Sequence, residues 1–189
     1  SHLSDIFNGQ LLIATVVILS FLILFSIGNS LVKKSQFSKM SKPLAISLMI
    51  AIGIGFHNFG EGLAVGAAIA LGQVALSTFL IVGFAIHNTT EGFAIAAPMA
   101  RTKAMVLRLI GLGLIAGTPA IFGTWIGGFS YSPFATVVFL SIGAGAIFQV
   151  VISIIQYIRE ENENTLSNTS IILGIGSGLV VMYLTSIFI

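Results

Sequence analysis

The chain has 189 residues, of which 56% are hydrophobic and only 7% charged, and its 8 Lys+Arg and 6 Asp+Glu leave a formal charge of +2. Soluble domains carry about 25% charged residues, so this composition excludes a water-solvated globule, and a mean hydropathy of +1.07 excludes extended disorder. The small net charge argues for no nucleic-acid partner, and the absence of Cys removes disulfide frameworks, zinc ribbons and thiol catalysis. What remains is an integral membrane protein, an all-α polytopic bundle with room for roughly six or seven spans of about 20 residues each.

Taken in chain order, the charges delimit the spans. Residues 6–32 lie uncharged between Asp5 and Lys33 and predict a first helix over about 9–32. Between Lys42 and Arg101 only Glu61 and Glu91 are charged, and the Gly72-Gln73 pair is the natural turn. The spacing therefore predicts a second helix over about 44–71 and a third over about 75–100. A long uncharged stretch from Leu109 to Ile158 is divided by Gly127-Gly128-Phe129-Ser130-Tyr131-Ser132-Pro133, which predicts helices over about 104–127 and 134–158. Arg159-Glu160-Glu161-Asn162-Glu163-Asn164 reads as a solvated loop, and 168–189 as a sixth helix. Residues 1–189 thus form a single transmembrane domain. Because the chain begins at Ser1, helices upstream of it are allowed for.

The basic residues test this count independently of hydropathy. Lys33, Lys34, Lys39 and Lys42 fall between the first two helices, Arg101, Lys103 and Arg108 between the third and fourth, and Arg159 between the last two. All eight land on one side, which the positive-inside rule assigns to the cytoplasm. Both chain ends then face the opposite side, and the expected setting is the cell membrane.

The second and third helices hold the only carboxylates of the apolar interior. Gly53-Ile54-Gly55-Phe56-His57-Asn58-Phe59-Gly60-Glu61-Gly62 and Gly83-Phe84-Ala85-Ile86-His87-Asn88-Thr89-Thr90-Glu91-Gly92 repeat at an offset of 30 residues, with an HNxxEG motif in each. His and Glu four apart share a helix face one turn from each other. His57 and His87 both fall near the middle of their spans, so antiparallel neighbours joined by a short turn bring His57, Asn58, Glu61, His87, Asn88 and Glu91 to one level.

A Glu at the bilayer centre costs about 2.5–3.5 kcal/mol on insertion scales, and no Lys or Arg lies at that depth to offset it. The carboxylates are therefore protonated, line water or share a cation. Neutral imidazole and carboxylate are the ligand types of Zn²⁺ and other first-row divalent metals, and the duplicated, depth-matched pairs favour a metal over plain interhelical hydrogen bonding. The leading function is a carrier of Zn²⁺, Fe²⁺ or a similar ion toward the cytoplasm, with the ion as transported substrate and no separate cofactor. The alternatives are an intramembrane metal-dependent hydrolase, for which HExxH is missing, and a metal-free proton-relay channel. An enzyme is not expected. The partners are the divalent ion and the bilayer; a homodimer is compatible with the pattern but is not specified by it. Gln149 and Gln156, seven apart, share a face of the fifth helix and read as packing in preference to lining a path. The basic stretch 33–42 reads first as a topology signal and secondly as a contact for anionic lipid.

The two HNxxEG motifs resemble the metal-site motifs on the fourth and fifth helices of the ZIP family of divalent metal-ion transporters. The resemblance implies an eight-helix fold of which this chain carries the third to eighth. It implies a main metal site of His57, Glu61 and Glu91, with Asn58, His87 and Asn88 at or beside a second. The Pro that commonly precedes the motif Glu in that family is Gly60 in one motif and Thr90 in the other.

Overall fold

The computed structural model describes residues 2–35, 40–100, 102, 106–130, 132–162 and 168–187. It contains six α-helices and, among the described residues, no strand: α1 (His2–Ser35), α2 (Lys42–Ala70), α3 (Val74–Ala96), α4 (Val106–Phe129), α5 (Pro133–Asn162) and α6 (Asn168–Ile187), with a 3₁₀ turn at Ala97–Met99. Five helices, α1 to α5, are long and apolar enough to cross a membrane, and at about 1.5 Å per residue each exceeds the roughly 30 Å hydrocarbon thickness. α6 is 20 residues long, and its described apolar stretch covers Thr169–Val181. Lys39, Arg101, Lys103, Glu163 and Asn164, which carry part of the expected loop assignment, lie outside the described residues.

The expected boundaries hold to within a few residues, except at two ends. α5 continues through Arg159-Glu160-Glu161 to Asn162, where a loop was expected. Arg and Glu are good helix formers and no Gly or Pro interrupts them, so the helix runs on past the apolar stretch. α1 begins at His2, seven residues before the expected start at 9, and at its other end it runs on to Ser35 through Lys33 and Lys34, whose charges suit the negative end of a helix dipole. The turn at Gly72 is as expected. Gly72 takes a φ of +70°, Gln73 donates to the Ala68 carbonyl and Gly72 to that of Ile69, which is the two-bond pattern that closes a helix on a left-handed glycine.

α2 is the centre of the bundle and packs against α4, α5, α3 and α1. Its small residues make this burial feasible, since in lipid helix association depends on close backbone approach more than on hydrophobic exclusion. A Cβ built at Gly62 would fall on the Ala120 carbonyl of α4, and one at Gly66 on that of Thr124. In return, a Cβ at Gly123 would fall on the Phe59 carbonyl and one at Gly127 on that of Leu63. Two Gly-xxx-Gly pairs thus interlock backbone to backbone. The apolar cluster Ile46, Ile50, Ile54, Leu112, Ala116 and Val150 fills the space below. Outward positions such as Leu19, Ile23, Leu107, Leu114, Phe148 and Leu179 are exposed apolar side chains, as lipid-facing helices require.

Lys42 at the start of α2 pairs with Glu160 near the end of α5 at 2.8 Å. The α1–α2 and α5–α6 connections therefore lie at the same end of the bundle, as six alternating spans demand.

Candidate metal centre

His57 stands fifteen residues from the start of α2 and thirteen from its end, and His87 stands thirteen residues from the start of α3. The short turn at Leu71–Gln73 folds α3 back along α2, so the two motifs meet at equal depth. His57 Nε2 lies 3.1 Å from Glu61 Oε1, one turn along the same helix. His87 Nε2 crosses from α3 to the same Glu61 Oε1 at 2.5 Å, and Glu91 Oε1 reaches back toward His57 at 3.9 Å. The two imidazole rings are 6.3 Å apart. One ligand atom from each of His57, Glu61 and His87 lies within 4.8 Å of the others.

Glu61 is the hub. Its side chain is 7% exposed, against 16% for Glu91, and the ion-pair partners of both among the described residues are histidines. Oε1 of Glu61 meets both imidazoles, whereas its Oε2 is buried without a donor. Glu91 Oε2, Asn58 Oδ1 and Asn88 Oδ1 are buried without a donor as well. An ionised carboxylate accepts and cannot donate, and buried acceptors left unmatched in a low-dielectric interior are costly. The site thus holds an excess of acceptor oxygens around two imidazoles, with no Lys or Arg paired to it among the described residues.

The two asparagines, equivalent in the repeat, differ in the fold. Asn58 is buried and donates its Nδ2 to the Ala116 carbonyl of α4 at 3.0 Å. Three residues later α4 carries Pro119 within the helix, which has no N–H to offer the Ile115 carbonyl and loosens the turn. A Cβ at Gly55 would stand 2.8 Å from that Ile115 oxygen, so α2 passes the loosened turn at backbone distance. Asn58 is in this way tied to α4, while its side chain also hydrogen-bonds Glu91 and its Oδ1 stays unmatched. Asn88, on the less buried α3, has no such tie among the described residues, and its Oδ1 is free.

The structure brings together His57, Glu61 and His87, sets Glu91 at their edge and holds Asn58 against Glu91, while Asn88, next to His87 in α3, keeps a buried, unmatched Oδ1. Compared with protein-family models, with curated proteins and with solved structures, the chain matches none. The site has therefore to be read from its own chemistry. Sequence reasoning missed α4 as the support of the site. The only available signal was Pro119, mid-helix in α4, and a proline alone does not say that a side chain of α2 will bond the neighbouring Ala116 carbonyl.

Proposed function

We propose that this chain is a membrane carrier for divalent metal cations such as Zn²⁺ or Fe²⁺, held by His57, Glu61, His87 and Glu91, with Asn58 and Asn88 as neutral oxygen donors, and related to the ZIP family that its two motifs resemble. The observation that carries the reading is the acceptor excess. Two buried carboxylates and two imidazoles share one depth in an apolar bundle with, among the described residues, no Lys or Arg against them. A doubly positive ion supplies the missing charge and takes imidazole and carboxylate together. Midplane sites between helices are where carriers hold cargo while access alternates, and the ion moves toward the side of the basic loops, the cytoplasm.

One observation favours a second reading. His87 Nε2 and Glu61 Oε1 are joined by a direct hydrogen bond between an imidazole and a carboxylate, as a metal-free proton relay would use. Uptake by the chain in liposomes, measured across a panel of divalent metals for the unaltered protein and for Glu61→Gln, separates the two. Carriage of metal predicts saturable uptake that falls by at least about tenfold in the variant, since even outer-shell changes at metal sites cost 10–100-fold. Unaltered uptake in a well-folded Glu61→Gln protein contradicts it, and proton flux without metal that Glu61→Gln abolishes favours the relay.

A further inference from the structure

The repeat makes His57 and His87 equivalent in sequence, but the fold supports them unequally. The side chain of His57 is 29% exposed and that of His87 14%. Nε2 of His87 bonds Glu61 Oε1, and the backbone of Gly83, one turn earlier in α3, hydrogen-bonds the same imidazole. The Phe84 ring stands T-shaped against that imidazole, with centroids 5.4 Å apart and planes at 71°. In the other motif the place of Phe84 is taken by Ile54, which is buried and packs into the apolar cluster of Ile50, Leu112 and Val150. Among the described residues, the one ring beside His57 is that of His87, 6.3 Å away. His57 Nε2 reaches Glu61 Oε1 at 3.1 Å and Glu91 Oε1 at 3.9 Å, and Glu91 is in turn more exposed than Glu61.

The χ2 torsion of histidine is broad and roughly two-fold, so the rotamer alone does not fix the plane of the ring. Its neighbours have to. Three residues before His87, Phe84 shares a helix face with it, and a T-shaped pair is an arrangement in which ring quadrupoles attract. An aliphatic side chain fills the same space without defining a plane. We infer that Phe84 is a positioning residue of the metal site: by bracing the imidazole of His87 it keeps Nε2 on Glu61, which makes Glu61 and His87 the fixed half of the site and His57 with Glu91 the half that opens as the ion enters and leaves. The assignment rests on the metal reading of the cluster and gives its four ligands different tasks. Glu61 and His87 hold their geometry between turnovers. His57 and Glu91, less enclosed and at longer distance, close on the ion and let it go, which meets the requirement that a conducted ion be bound firmly enough to enter yet loosely enough to leave.

Binding and release of Zn²⁺ by the full chain in detergent, read with a metal-sensitive dye and a chelator chase, test the assignment. Phe84→Ile, which copies Ile54 of the other motif, should bind zinc about tenfold more weakly and release it correspondingly faster, as changes to the partners that orient a ligating histidine do. Phe84→Tyr keeps the ring and should match the unaltered protein. Phe93→Leu, at an exposed ring of the same helix, should also match it. X-ray absorption at the zinc edge supplies a readout that loss of packing alone does not move: Phe84→Ile should keep the first shell and weaken the outer-ring scattering of one imidazole. An unchanged Tm without metal shows that a variant is folded, and Phe84→Leu replaces Phe84→Ile if the latter lowers it. His87→Ala should cost more zinc affinity than His57→Ala. Unaltered affinity and release in Phe84→Ile, a defect of equal size in Phe84→Tyr, or a greater loss in His57→Ala than in His87→Ala would overturn the proposal. A folded, unaltered chain that binds no zinc removes the metal reading and this assignment together, whereas zinc binding indifferent to Phe84 removes this assignment alone.

Discussion

Gly62 and Gly92 occupy the same place in the two HNxxEG motifs, and the structure predicts opposite sensitivities to the same methyl group. A Cβ at Gly62 would overlap the Ala120 carbonyl oxygen and stand 2.9 Å from both the Ala120 carbonyl carbon and the Thr124 nitrogen, all backbone atoms that cannot swing aside. A Cβ at Gly92 meets nothing within 4 Å. In Gly62→Ala, α2 and α4 must part by roughly 1 Å, and a gap of that size forfeits a quarter to a half of each dispersion contact along the seam. The interlocked turns at Gly66, Gly123 and Gly127 part with it. Overpacking of this kind costs about 1–3 kcal/mol, which for a chain of this length lowers Tm by about 2–4 °C per kcal/mol. Gly92→Ala should be neutral or slightly stabilising, since alanine is the better helix former. Thermal unfolding of both variants in one detergent is the assay, followed by loss of helical signal. Equal Tm values for the two would refute the backbone-on-backbone seam between α2 and α4.

Asn58→Leu should destabilise the chain by about 1–3 kcal/mol, because it leaves the buried Ala116 carbonyl without its donor; chemical denaturation checks this. Asn88→Leu, which removes no hydrogen bond seen among the described residues, should cost clearly less. For metal affinity, Glu91→Gln should weaken binding less than Glu61→Gln, because Glu61 Oε1 contacts both imidazoles whereas Glu91 stands 3.9 Å from one. Competition with a metal-sensitive dye reports the order of the two.

Much of this was legible in the sequence because membrane burial is a one-dimensional constraint. An uncharged run must span, a charge must leave the apolar layer, and a repeat offset of 30 residues across a turn at Gly72 places His57 and His87 at one level without knowledge of packing. Which face meets which neighbour is not encoded that way. Asn58 and Asn88 are indistinguishable by motif, yet one is committed to α4 and the other is not, because α2 passes α4 at backbone distance beside Ala116, at Gly55. Gly62 and Gly92 diverge for the same reason. The end of α5 was misjudged because clustered charge marks the edge of the membrane, not the end of a helix. Gln149 was visible as a polar residue on an apolar face, but its burial and its unmatched oxygen depend on α2 closing on it at Gly53.

The central claim is that one divalent ion is held jointly by imidazoles of α2 and α3 with Glu61 between them. X-ray absorption at the zinc edge, on purified protein loaded with one equivalent of Zn²⁺, tests it most directly. The account predicts a first shell of nitrogen and oxygen at about 2.0–2.2 Å with the outer-ring scattering of two imidazoles, reduced to one in either His57→Ala or His87→Ala and accompanied by weaker binding. Zinc that binds with a spectrum unchanged by either substitution, or that does not bind at all to the folded protein, would contradict it.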